Sequence, residues 1–94
     1  MDIIKTIEEK IRSSIDVIDI DIIDESIKHA DHYFAAYSTL LSHIKLILVS
    51  NSFIGMSALK RHKLIYELLK SEIEQVHAIS LHLYTQSEYN SKNK

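Results

Sequence analysis

A chain of 94 residues, 46% of them hydrophobic and 26% charged, has the balance of one small globular domain, and it is read as a single domain over residues 1–94. A formal net charge of −2 argues against a protein that lives on non-specific phosphate contacts, which are the work of basic chains. The absence of cysteine excludes disulfides, a self-contained thiolate site and a cysteine nucleophile.

The residues from Met1 to Lys5 carry an early acid and a helical pattern rather than the features of a signal peptide. No apolar run approaches the roughly 20 residues of a membrane span, so the expected location is the cytoplasm, with no membrane partner. Ile4, Ile7, Ile11 and Ile15 recur at helical spacing and predict an amphipathic first helix, with Asp2 as its N-cap. Ile18, Ile20 and Ile22 then alternate with Asp19 and Asp21, the pattern of a strand with one wet face. Residues 26–42 have no clean period. A connection this long in a compact domain is often functional, and with neither Gly nor Pro it has room for some helix.

Residues 43–50 form a nearly continuous apolar run of β type and predict a buried strand. Residues 51–55 read as a turn in which Gly55 supplies a positive φ, and Ser57 as the N-cap of the main helix. Leu64, Ile65, Leu68, Leu69 and Ile73 give that helix its apolar stripe, while Lys60, Arg61, Lys63, Glu67 and Lys70 are expected to stay wet. Residues 76–83 predict the last strand. Residues 85–94 are expected to form one short turn of helix and a frayed tail. The fold class is therefore α/β (α+β), in the order αββαβ. Strands one and two are antiparallel across the long loop. Strands two and three are parallel through a right-handed crossover, and the helices lie on one face of the three-stranded mixed sheet.

This topology places the histidines. The loop lies at the end of strand one and the start of strand two, and a parallel strand three begins at that same end. His29 and His32 in the loop, His43 opening strand two and His77 opening strand three should therefore gather at one edge, away from His62 and His82. Neutral imidazole is a common ligand for zinc and iron. His29 and His32 also have His-x-x-His spacing, though that motif is weak alone, and six histidines in so small a chain form clusters by chance. Without thiolates, the chain is suited to completing a metal or iron–sulfur site rather than holding one alone.

Two stretches carry a family resemblance. Phe53-Ile54-Gly55-Met56-Ser57-Ala58-Leu59-Lys60-Arg61-His62-Lys63-Leu64-Ile65-Tyr66 resembles the turn-and-helix signature of BolA-like proteins, and Val76-His77-Ala78-Ile79-Ser80-Leu81 their second signature. Asp24-Glu25-Ser26-Ile27-Lys28-His29-Ala30 resembles the family's loop entry, and Ser42-His43 its return to strand two. The agreement runs from the first helix to Thr85. It implies a fold similar to the type II KH domain, often with an added short helix. It also implies pairing with a monothiol glutaredoxin around a shared [2Fe-2S] cluster. In such a pair the glutaredoxin cysteine and glutathione give thiolates, and the BolA-like partner gives histidine. The family's C-terminal ligand falls on His77, and its variable loop ligand on His29 or, alternatively, His32. The chain departs from the family where Asp31-His32-Tyr33-Phe34-Ala35-Ala36 replaces a Gly-rich loop. Ile44 also stands where an aromatic is common, and residues 85–89 resemble the family's final turn only loosely.

The alternative reading is a DNA-binding regulator. Some BolA-like proteins are described as such, and Lys60, Arg61 and Lys63 form a basic run near a helix start, where phosphates are readily met. Against it, the chain lacks the Gly-x-x-Gly loop by which KH domains clamp a nucleic-acid backbone. No enzyme is expected. Asp19, Asp21, Asp24 and Glu25 read as a wet strand face, and Ser26 near His29 is not a triad. Whether the chain pairs with itself is left open by the sequence.

Overall fold

The structure is a computed structural model and describes residues 3–25, 43–76 and 78–92. Asp2, His29, His32 and His77 therefore lie outside the described residues. Helix α1 (Ile3–Ser14) buries Ile7 and Ile11 completely, and Ile4 and Ile15 pack beside them. The helical spacing of the isoleucines thus delivers one apolar stripe to the core. Strand β1 (Asp19–Asp24) pairs antiparallel with β2 (His43–Val49), in register from Asp19 with Val49 to Asp24 with Ile44. Strand β3 (Ala78–Tyr84) pairs parallel with β2, from His43 with Ala78 to Val49 with Tyr84. The sheet order is β1-β2-β3, with the parallel β2–β3 pair that the crossover argument requires.

Side-chain alternation divides the sheet into two faces. The rows Ile20–Leu48–Leu83 and Ile22–Leu46–Leu81 look toward the helices, while the rows Asp21–Ile47–His82 and Ile23–Lys45–Ser80 look away. The apolar run of β2 is accordingly buried on one face along most of its length, with Val49 also buried at its end on the other. Ile44, Leu46 and Leu48 are fully buried, whereas His43, Lys45 and Ile47 are half-buried. Phe53, Ile65 and Leu69 complete the core. Each such side chain contributes on the order of 2 kcal/mol by leaving water.

A short 3-10 turn (Asn51–Phe53) follows β2, capped by the Ser50 hydroxyl, which accepts from the Ser52 N–H at 3.0 Å and donates to the Asp16 carbonyl. Gly55 then takes φ +82, as the turn reading requires. Helix α2 (Ala58–Leu68) starts where expected, with the Ser57 hydroxyl accepting from the Lys60 N–H at 3.2 Å. It stops at Leu69, whose ψ of 18° interrupts the helical path, and a single turn, α3 (Lys70–Ile73), follows. The buried stripe is narrower than the sequence suggested. Ile65 and Leu69 are buried, but Leu64 is 37% exposed, because residues 64 and 65 cannot share one helix face.

Two further expectations are corrected. Arg61 does not stay wet: its side chain is 12% exposed and wholly engaged within the fold. The end of the chain is more than a frayed turn, because residues Gln86–Lys92 form helix α4. Among the described residues, no helix is long and apolar enough to cross a membrane.

Candidate functional site

The end of the sheet where β2 and β3 begin gathers chain from three directions. His43 opens β2 beside Ala78, the first residue of β3. The Glu25 N–H, one residue past β1, donates to the His43 carbonyl at 2.9 Å. Glu25 and His43, the described residues on either side of segment 26–42, therefore meet at this end, next to Ala78. Hydrogen bonding sets this geometry: a parallel β2–β3 pair must start both strands at one end, while the antiparallel β1–β2 pair must join there.

The positions of His62 and His82 agree with the topological reading. His82 pairs with Ile47, well along the sheet, on the face turned away from the helices. His62 sits in α2, where its Nδ1–H donates to the Ala58 carbonyl at 2.8 Å and its ring lies 6.5 Å from that of Tyr66. Neither belongs to the loop end. Among the described residues, no three side chains of metal-ligating type come together. The candidate ligands His29, His32 and His77 are not among those residues. What the chain can offer a metal is set by its composition: six imidazoles and no thiol. That donor set can finish a site whose sulfur comes from elsewhere.

The basic run at the start of α2 is a second candidate surface. Lys60 and Lys63 are exposed there, but Arg61 turns inward. Its Nη1 lies 2.6 Å from Glu88 Oε1 and its Nη2 lies 3.1 Å from Oε2, a two-point pair. Nε donates to the Met56 carbonyl at 3.0 Å and Nη1 to the Leu83 carbonyl at 3.3 Å, with the guanidinium 5.7 Å from the centre of the Phe53 ring. One side chain thereby ties the turn before α2, the end of β3 and helix α4. Its neighbour Glu88 is held down to a pKa of about 2, first by the hydrogen bond from Arg61 and then by the Thr85 N–H, which donates at 2.9 Å. The same pairing raises the pKa of Arg61.

Sequence reasoning missed this clasp, although a signal was present. Thr85-Gln86-Ser87-Glu88 is a capping box. The Thr85 hydroxyl accepts from the Glu88 N–H at 3.2 Å while the Glu88 carboxylate accepts from the Thr85 N–H. Nothing local in the sequence, however, joins Glu88 to Arg61.

Comparison with known proteins agrees with this architecture. The family model described as BolA-like protein matches residues 11–88. The DNA-binding transcriptional regulator BolA of Escherichia coli (strain K12) is 40% identical over 84 residues, covering 88% of this chain and 75% of that protein. SufE-like protein 1, chloroplastic/mitochondrial, of Arabidopsis thaliana is 36% identical over 86 residues, covering 87% of this chain but 23% of that longer protein. The solved structure of BolA1 from Arabidopsis thaliana superposes with a TM-score of 0.78 at 31% identity, covering 94% of this chain and 96% of that one. With the family model matching residues 11–88 and a relative 40% identical over most of both chains, the chain belongs to the BolA-like protein family.

Proposed function

We propose that this protein is a non-enzymatic adaptor that lends histidine to a [2Fe-2S] cluster shared with a monothiol glutaredoxin, in cluster trafficking or iron sensing. His77, the residue before Ala78, is the C-terminal ligand and His29 the loop ligand, with His32 as its alternative. The partner's cysteine and glutathione would give the thiolates that this chain lacks. The observation that carries the reading is the pairing of His43 with Ala78, together with the Glu25–His43 hydrogen bond. These bonds bring the chain on either side of the loop, and the residue following His77, to one end of the sheet. A cluster needs several ligands converging from separate segments, and the absence of cysteine makes a partner's sulfur necessary.

The test is the visible absorption of the full chain mixed with a monothiol glutaredoxin, iron, sulfide and glutathione. The mixed spectrum should differ from that of the glutaredoxin alone, and His77→Ala should abolish the difference. A mixed spectrum that His77→Ala leaves unchanged removes His77 as a ligand.

A DNA-binding role is the second reading, supported by the name of the Escherichia coli relative and by the exposed Lys60 and Lys63. The clasped Arg61 contributes little to it. In a gel shift at low salt, Lys60→Ala with Lys63→Ala should weaken binding, and no shift at all would end this reading.

A further inference from the structure

The sheet has two outer strands, β1 and β3, and they differ in chemistry. The Ser50 N–H donates to the Tyr84 carbonyl at 2.9 Å, so the backbone groups of Tyr84 face β2. Backbone direction alternates along a strand, so those of Ala78, Ser80 and His82 face β2 as well, while those of Ile79, Leu81 and Leu83 face outward. Arg61 already occupies the Leu83 carbonyl. Among the described residues, the outward N–H and C=O groups of Ile79 and Leu81 have no backbone partner. Such an edge is a template for another strand.

Charge decides what fits it. Strand β1 carries Asp19, Asp21 and Asp24, and like charges set opposite one another repel, so a second copy of this chain is kept off that edge. Strand β3 reads Ala-Ile-Ser-Leu-His-Leu-Tyr and contains no Asp, Glu, Lys or Arg. We propose that β3 of a second copy adds antiparallel to this edge, with the two-fold axis at Ser80. Ile79 of each copy then exchanges a pair of backbone hydrogen bonds with Leu81 of the other. Ser80 faces Ser80 in the close, non-hydrogen-bonded pair at the axis, and His82 faces Ala78, so no like charges meet. This register uses the unpaired groups and leaves the Arg61–Leu83 contact intact. It is also closed: each copy spends its one neutral edge, and the acidic β1 edges end the assembly at a dimer.

The contact is short, so association is weak and concentration-dependent, with a dissociation constant on the order of 0.1 mM, as befits an interface below standard size. Sedimentation equilibrium of the full chain from about 10 µM to about 1 mM spans that range. The average mass is expected to rise from monomer toward dimer. Ser80→Asp and Ser80→Lys put like charges at the axis, and each should weaken the dimer at least about tenfold. Mixing the two variants puts opposite charges there and should restore it. Ser80 lies beside Lys45 in the sheet and half-buried on the face away from the helices, so an aspartate has a partner in the monomer. A wild-type mass that stays monomeric throughout overturns the proposal, and so does a dimer that both folded variants form as well as the wild type. Should neither variant fold, amide exchange in the wild type decides. Protection of Ile79 and Leu81 that grows with concentration supports the pairing, and protection that stays flat overturns it.

Discussion

Glu88 has one carboxylate oxygen 2.6 Å from Arg61 and accepts a hydrogen bond from the Thr85 N–H at 2.9 Å, and these contacts bring its pKa down to about 2. The unfolded chain, where the carboxyl keeps its ordinary value, binds more protons than the folded one in acid. The contribution of the clasp is therefore complete above the ordinary carboxylate range and is lost as pH falls through the folded value near 2. The Glu88 side chain is 46% exposed, so solvent screening limits that contribution to about 1 kcal/mol. Glu88→Gln should lower the melting temperature near neutral pH. The gap to wild type should close as pH falls from about 4.5 toward 2 in thermal scans followed by circular dichroism.

Helix α4 has seven residues, too few to persist on helical propensity alone. Three things hold it: the capping box of Thr85 and Glu88, the Arg61 clasp, and the ring of Tyr89, 5.7 Å from that of Tyr84. Thr85→Ala removes the hydroxyl acceptor at the helix start and should cost about 1 kcal/mol, read as a lower denaturant midpoint at unchanged slope. The same capping chemistry is legible at the start of α2. The Ser57 cap and the positive φ of Gly55 are properties of a few adjacent residues, and both stand as expected. The Thr-x-x-Glu signal of α4 was equally local, but it is hidden in a polar tail that lacks an apolar stripe.

For the molecule as a whole, the decisive feature is which ends of the strands coincide. Because β3 runs parallel to β2, the end where β1 leaves the sheet and β2 enters it is also the end where β3 begins, at Ala78. In the proposed complex His29 and His32 compete for the role of loop ligand, because they are close enough in sequence to substitute for each other. In the glutaredoxin mixture, His29→Ala and His32→Ala should act unequally, and the one that shifts the visible spectrum toward that of the glutaredoxin alone identifies the second ligand. Ligation needs neutral imidazole, so the spectrum of the proposed complex should also fade in acid, as protons displace the metal from the rings.

Periodicity made the αββαβ order and the parallel pairing of β2 with β3 legible in the chain itself. Repeated isoleucines at helical or alternating spacing can be buried in only one way, and a helix joining two strands of one sheet implies a parallel pair. The missing cysteine likewise bounds the site chemistry from composition alone. The fate of Arg61 was not legible. A lone arginine in a basic run looks solvated, and only the folded chain brings Glu88, 27 residues away, together with the Met56 and Leu83 carbonyls around it. The contrast between an acidic outer strand and a neutral one with open hydrogen-bonding groups was hidden for the same reason. Which strand ends up at an edge, and which of its backbone groups stay unpaired, is settled by strand order and register, and those exist only once the sheet has formed.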